Sequence, residues 1–373
     1  MRTTLITAAV ATAALATALA ATVPADAAGG GLHAKKGIAP PPTNYKVIAN
    51  GLNNPRQLNF SSEGRLYVAE AGAGGGADCT LGGEGSTVCW GASGSVTVIA
   101  NGHQRRVITG LPSYADQGSG ASALGPADVV PYGRNKLAVS IGFGLDPAQR
   151  DGLASPGQLF GRLLRFDPLG PWARSTLGDL TAFEGAHNPI HDPNSDPTGL
   201  AKKGSTFYAV DSGGNDMVSI HHGKTKLAAV FQDVATDQGD VQAVPTDVVV
   251  GPDGALYISE LTGFPFVKGA ATIYRMVPGH KARVYATGLT NVTSLAFAKN
   301  GTLYAVQIAN DGLLNGPTGA LWKIRSKASG KKSKKVSTDQ FAPYGVAIKG
   351  KTAYVSINSV VPGGGQVVKI PLG

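Results

Sequence analysis

Four oxygen-bearing side chains recur at one place in this chain. Glu70, Asp211, Glu260 and Gln307 each stand three residues after a tyrosine, in Leu66-Tyr67-Val68-Ala69-Glu70, Phe207-Tyr208-Ala209-Val210-Asp211, Leu256-Tyr257-Ile258-Ser259-Glu260 and Leu303-Tyr304-Ala305-Val306-Gln307. If these stretches are equivalent strands of one ring-like assembly, three carboxylates and an amide approach one another around its mouth. Such an oxygen-rich set suits Ca²⁺ or Mg²⁺, with Glu70, Asp211 and Glu260 as the expected metal ligands. Without a cation, carboxylates that close raise one another's pKa. The competing reading is structural. Strand-end carboxylates accept loop N–H groups or pair with arginine, and Arg56, opening the strand before Glu70, is the expected partner. Asn215 and Asp216, in the Gly-rich stretch Asp211-Ser212-Gly213-Gly214-Asn215-Asp216, carry the same two readings.

Other motifs say less. His187 and His191 have the i, i+4 spacing of a helical metal pair, but Pro189 between them breaks a helix. They remain candidates only as members of a ligand-binding face, with Asp192 and Asp196 nearby. Asp192 to Lys203 begins like an EF-hand loop, yet Pro197 stands where its glycine belongs and Lys203 where its final glutamate belongs. The chain holds no Gly-x-Ser-x-Gly elbow and no phosphate-binding glycine pattern between a strand and a helix, which disfavours serine hydrolases, NTPases and Rossmann oxidoreductases.

The elements that position these residues are repeats. Besides the four tyrosine stretches, Lys136–Ser140 and Thr352–Ser356 have the same form. Each follows a shorter apolar run: Pro55–Phe60, Pro126–Val130, Pro197–Ala201, Pro245–Val250, Val292–Phe297 and Pro343–Ile348. Proline opens five of the six runs, and the first residue of a strand is where proline is tolerated. Tight turns such as Pro252-Asp253-Gly254 join each pair as hairpins. A third strand follows in every unit, Gly94–Ile99 in the first and Gln366–Ile370 in the last. A fourth is legible at Arg105–Leu111, Lys226–Phe231 and Arg283–Leu289. The last unit runs out of chain after its third strand, while a spare fourth-type strand, Tyr45–Leu52, stands at the other end. The expected fold is all-β: a six-bladed β-propeller over residues 45–373, whose N-terminal strand closes the last blade. On this reading the repeated tyrosines are core and blade-interface positions.

Insertion lengths single out one face. First-to-second turns are tight, whereas long links fall between second and third strands and before the next first strand. In up-and-down blades these two kinds of link share an end, so the long links stack on one face around the channel mouth. Binding residues concentrate on loops held by a rigid frame.

Composition bounds the rest. With 52 Gly and 23 Pro among 373 residues and 42% hydrophobic residues, the chain has the apolar content for a core and no collagen period. The net charge of +9 invites a nucleic-acid reading. The lysine runs at 202–203, 331–332 and 334–335 sit beside Gly and Ser without interleaved aromatics, so they read as solvated turns, and no nucleic-acid partner is expected. Arg2, the uncharged stretch Leu5–Val23, and Ala25 and Ala27 as the small residues of a cleavage site read as a signal peptide over residues 1–27. Residues 28–44 read as a flexible leader. A secreted protein without stable membrane insertion is expected. Cys79 and Cys89, the only two cysteines, lie in one exported loop and are expected to pair.

A family resemblance enters on specific segments. Pro55-Arg56 with Leu66–Gly72, Arg105–Pro112, Asp211–Asp216, Gly251–Tyr257 and above all Glu260-Leu261-Thr262-Gly263-Phe264-Pro265-Phe266 resemble the ScyD/ScyE family, in order, over nearly all of the expected mature chain. The resemblance implies an exported propeller and supplies no catalytic residues. The Asp-Gly-x-Leu-Tyr pieces are also similar to NHL-like and gluconolactonase-like propellers, and gluconolactonase-like and paraoxonase-like propellers hold a divalent cation in the channel. By that likeness, a cation held by the strand-end carboxylates would polarise a lactone or ester carbonyl while a carboxylate positions water. Two functions follow as expectations. The first is a binding or scaffold propeller for an extracellular small molecule or polysaccharide, with Arg56, Glu70, His187, His191, Asp211, Asn215, Asp216, Glu260 and Gln307 on its ligand face. The second is a divalent-cation-dependent lactonase or esterase.

Overall fold

Antiparallel hairpins stack around a ring in the computed structural model, which describes residues 44–76, 78–82, 86–167 and 173–373. The expected signal peptide, and the leader up to residue 43, lie outside the described residues.

Six sheets form six blades, each counted here from its innermost strand. Blade 1 comprises Pro55–Phe60, Leu66–Glu70, Thr87–Ala100 and His103–Asp116; blade 2 Pro126–Tyr132, Lys136–Ile141, Arg162–Asp167 and Ala173–Asp179; blade 3 Pro197–Lys203, Thr206–Asp211, Asp216–His221 and Lys224–Val230. Blade 4 comprises Pro245–Val250, Leu256–Glu260, Ala271–Met276 and Arg283–Leu289; blade 5 Val292–Phe297, Leu303–Gln307, Thr318–Lys323 and Lys334–Lys335; blade 6 Val346–Lys349, Thr352–Ile357, Gly365–Pro371 and the N-terminal Lys46–Leu52. First strands of successive blades contact one another all the way round.

The closure is the expected one. Lys46–Leu52 runs antiparallel to Gly365–Pro371, with Val47 opposite Val368 and Leu52 opposite Gly365. Leu52 is fully buried there beside Leu58, Val68 and Val367. A velcro of this kind removes the exposed edges and faces that an open repeat array leaves. The repeated tyrosines pack as expected: the Tyr257 ring sits edge-on, 4.9 Å from both Tyr285 and the Phe297 ring of the next blade.

Some elements differ from the sequence expectation. The outer strands of blade 1 run well past the third strand expected at Gly94–Ile99, and the three-residue strand Cys79–Leu81 pairs with the start of Thr87–Ala100. Cys79 lies directly opposite Cys89 and the two form a disulfide, as expected. The outer strand of blade 5 shrinks to Lys334–Lys335, because lysines and serines there leave no apolar face to bury. Helix α1, Leu180–His187, occupies the start of a link read as loop. Asp179 nucleates it by accepting the Ala182 N–H. Among the described residues no helix is long and apolar enough to cross a membrane.

Candidate functional site: the channel and its loop face

The innermost strands bring two rings of residues around the channel. Counting from the residue that opens each strand motif, the second positions are Arg56, Ala127, Thr198, Thr246, Thr293 and Tyr344. The third are Gln57, Asp128, Gly199, Asp247, Ser294 and Gly345. Hydroxyls sew five of the six blade junctions. Ser140 donates to the Thr198 carbonyl (2.6 Å), Ser212 to Pro245 (2.6 Å), Thr246 to Val292 (2.7 Å), Thr293 to Tyr344 (2.6 Å) and Ser356 to Arg56 (2.8 Å). Third-position oxygens accept N–H groups from the following blade: Asp128 from Leu200 (2.8 Å), Asp247 from Leu295 (2.7 Å) and Ser294 from Val346 (3.0 Å).

Asp128 and Asp247 were not singled out by the sequence reading. Both are buried in the channel. Burial raises both pKa values, that of Asp247 to about 7, and the charge of Asp247 raises Asp128 further. Their N–H donors oppose the shift. The signal that finds them is the register of the six first strands, in which they share a position with Gln57 and Ser294.

The channel mouth on the long-link face is built around Arg56. Its guanidinium donates to Ser359 O (2.7 Å) in a blade 6 link and to Ala123 O (2.6 Å) in the link between blades 1 and 2. It also stacks 4.8 Å over the Tyr344 ring. Asp196, in the link into blade 3, accepts the Phe143 N–H (3.1 Å). Burial and the nearby charge of Asp211 push Asp196 to about 7, against the pull of Phe143 N–H and Arg56. Arg56 and Asp196 therefore sense each other, yet among the described residues Arg56 makes no ion pair within 4.0 Å. Two buried phenols feel the Asp196 charge. Burial raises Tyr344 to about 12 and lifts Tyr114 well above its usual value, with Asp196 adding to both.

The structure does not bring the expected metal ligands together. Glu70 is fully buried but faces outward across its own blade, where it accepts from Thr97 Oγ1 (2.6 Å), Asn53 N (2.8 Å) and Arg106 (2.7 Å). Its partner is Arg106 on the fourth strand, not Arg56. The reason is direction: the side chain points away from the channel, where Arg56 sits. Asp211 spends its oxygens on Ser195 Oγ (2.7 Å) and the N–H groups of Asp196, Gly213 and Gly214. Gln307 accepts the Thr290 N–H (2.8 Å). Glu70, Asp211 and Gln307 thus play one repeated part, each holding the link that enters the first strand of its own blade. Glu260 is buried without a hydrogen bond of good geometry. Burial pushes it to about 8, partly offset by the Tyr274 hydroxyl and Thr272 N–H. Among the described residues no three His, Cys, Asp or Glu side chains are grouped to hold a metal ion.

The remaining candidates scatter. Asn215 accepts the Val244 N–H (2.8 Å) and anchors the link between blades 3 and 4. Asp216 is buried and opens the third strand of blade 3. His187 ends α1 and stacks on Phe183 at 4.0 Å, while His191 lies beyond the left-handed cap Asn188, so the two share no helical face.

No protein-family model matches the sequence, and no curated protein matches it significantly. Solved structures do resemble its fold. Regucalcin from Agrobacterium tumefaciens, a calcium-binding protein, is 12% identical over 88% of this chain and 94% of its own, with a TM-score of 0.51. Virginiamycin B lyase from Staphylococcus aureus is 11% identical over 88% of this chain and 98% of its own, at 0.47. A gluconolactonase from Xanthomonas campestris is 16% identical over 68% and 88%, at 0.38. At these identities the likeness is one of fold: this chain is a six-bladed β-propeller whose structural neighbours include gluconolactonase-like proteins.

Proposed function

We propose that this chain is an exported propeller of the ScyD/ScyE type that binds a small oxygen-rich molecule, of the sugar-acid class, at its channel mouth. One observation carries the reading. Buried Arg56 and Asp196 sense each other without pairing, Arg56 stacked on the Tyr344 ring and Asp196 acting on the Tyr114 phenol, at the end where the long links gather. A guanidinium beside a carboxyl suits a ligand with a carboxylate or carbonyl next to hydroxyls, and the phenols give it flat walls. The third-position ring is less suited, because its Asp128, Asp247 and Ser294 oxygens already accept N–H groups from the next blade. Export is supported by Arg2, the apolar stretch Leu5–Val23 and the Cys79–Cys89 disulfide. The ScyD/ScyE assignment is supported by the Glu260–Phe266 segment.

A lactonase-like hydrolase is the second reading. Asp196 favours it, since a carboxyl that titrates at about 7 has the range of a general base. A shared fold does not carry an activity with it.

Calorimetry of the purified chain with sugar acids and acidic oligosaccharides tests the first reading. The expected result is saturable binding, weakened about tenfold or more by Asp196→Asn and by Tyr344→Ala. Absence of binding across the panel removes it. A lactone and ester panel, run with Ca²⁺ and with Mg²⁺, tests the second: turnover lost in Asp196→Asn establishes it, and no turnover ends it.

A further inference from the structure

Beside the channel mouth, α1, the link after it and the 211–216 turn of blade 3 enclose a group of oxygens with no donors. Both carboxylate oxygens of Glu184, both of Asp216 and the side-chain carbonyl of Asn194 are buried without a hydrogen-bond partner. The three residues are 1%, 1% and 4% exposed. A buried polar atom left unpaired costs about 1–3 kcal/mol, and more if charged. Acceptor oxygens cannot satisfy one another while the two carboxyls are ionised, because neither carboxylate then carries a proton to donate.

The charges around them are acidic. Asp211 and Asp192 act on Glu184, and Asp211 and Glu184 act on Asp216, all in the raising direction. Burial is the larger cause for both, and it takes Glu184 to about 8.

The backbone makes room for these oxygens. Neither Gly213 nor Gly214 has a positive φ, so conformation does not demand glycine there. Space does. A Cβ on Gly213 would stand 2.6 Å from Asn194 Oδ1, and one on Gly214 would stand 2.9 Å from Glu184 Oε2 and 3.7 Å from Asp211 Cγ. The surroundings are fixed as well. Thr181 of α1 donates to Ser195 (3.0 Å), which donates to Asp211 (2.7 Å), so helix, link and blade are held in one chain of bonds.

We propose that Glu184, Asp216 and the Asn194 side-chain carbonyl form a binding site for a hard divalent cation of the Ca²⁺ class, fastening α1 and its link to blade 3. Carboxylates and an amide carbonyl are the oxygen donors Ca²⁺ takes, and its coordination tolerates irregular geometry better than that of Mg²⁺. The site is separate from Glu70 and Glu260 and depends on no part of the channel-ligand reading. Its role is structural: the bound cation orders the link that carries Asp196.

Calorimetry and native mass spectrometry on the EDTA-treated full chain test it, with CaCl₂, MgCl₂ and NaCl at matched ionic strength. One equivalent of Ca²⁺ is expected, bound at least tenfold more tightly than Mg²⁺ and with release of protons. Glu184→Gln and Asp216→Asn should each weaken Ca²⁺ about tenfold or more, and Asn194→Ser by a smaller factor, while Glu260→Gln leaves it unchanged. No Ca²⁺ bound by the wild type at millimolar concentration overturns the proposal. So does wild-type affinity in both carboxylate variants. Should those two fail to fold, wild-type affinity in Asn194→Ser overturns it.

Discussion

Gln57 of blade 1 donates its side-chain amide to the Thr293 carbonyl of blade 5, 2.7 Å away. The bond passes over blade 6, whose residue at the same position is Gly345. A Cβ there would stand 2.9 Å from Gln57 Cα and 2.6 Å from Arg56 O, so the absent side chain is what lets the first and fifth blades meet. The channel is therefore bridged at this level as well as lined.

Gln57→Leu keeps the volume and removes the bridge. The buried Thr293 carbonyl then loses its donor, and stability should fall by about 1–3 kcal/mol. Urea unfolding would show this as a lower midpoint with an unchanged slope. An unchanged midpoint would mean that the bridge contributes nothing.

Glu70 and Arg106 form an asymmetric pair, with the carboxylate side chain fully buried and the guanidinium 39% exposed. Truncating the buried member strands more partners than truncating the exposed one. Glu70→Ala should cost about 2–4 kcal/mol, because the Thr97 hydroxyl, the Asn53 N–H and Arg106 all lose their acceptor. Arg106→Ala should cost about 1 kcal/mol, since two donors to Glu70 remain. Equal losses would contradict this geometry.

Stability should fall as pH rises through neutrality. Asp196 and Asp247 at about 7 and Glu260 at about 8 titrate well above their unfolded values, so the folded chain holds more protons than the unfolded one. This stabilisation is complete below about pH 4 and is lost up to about pH 8, by at most ~1.4 kcal/mol per pH unit for each proton held. Urea midpoints measured in EDTA should be higher at pH 5.5 than at pH 8.5. Glu260→Gln should narrow the difference. A midpoint that climbs with pH would refute these assignments.

Deleting Lys46–Leu52 should open the ring. The deletion exposes the edge of Gly365–Pro371 and removes buried Ala49 and Leu52 from the core. A loss of at least ~3 kcal/mol is expected from these side chains and their ladder. A truncated chain that melts at the wild-type temperature would show that the closure is dispensable.

Replacing Cys79 and Cys89 together by serine should cost about 2–3 kcal/mol in the chain-entropy account of so short a loop. The blade 1 hairpin should become more sensitive to protease while the other blades keep their protection. Two free thiols in the native wild-type protein would remove the basis for this.

Blade number, strand order and closure were legible in the sequence because each depends on short-range pattern. Alternating apolar residues and Gly in turns repeat six times, with Pro at five of the six strand starts, and the spare N-terminal strand fits the place that the last unit leaves empty. The Cys79–Cys89 pair was legible for the simpler reason that no other partner exists. The link holding α1 read as loop, since one capping aspartate and a short apolar face give little signal. The site was hidden more deeply. Repeat register placed Glu70, Asp211 and Glu260 at equivalent positions, but equivalence says nothing about direction. Strand pleat and blade twist turn Glu70 outward to Arg106, while they turn Asp128, Asp247 and Arg56 into the channel. Glu184 and Asn194 reach the 211–216 turn from a helix and a link that no repeat predicts. Which side chains face one another across blades is set by the rotation from each blade to the next, a quantity that only the closed ring defines.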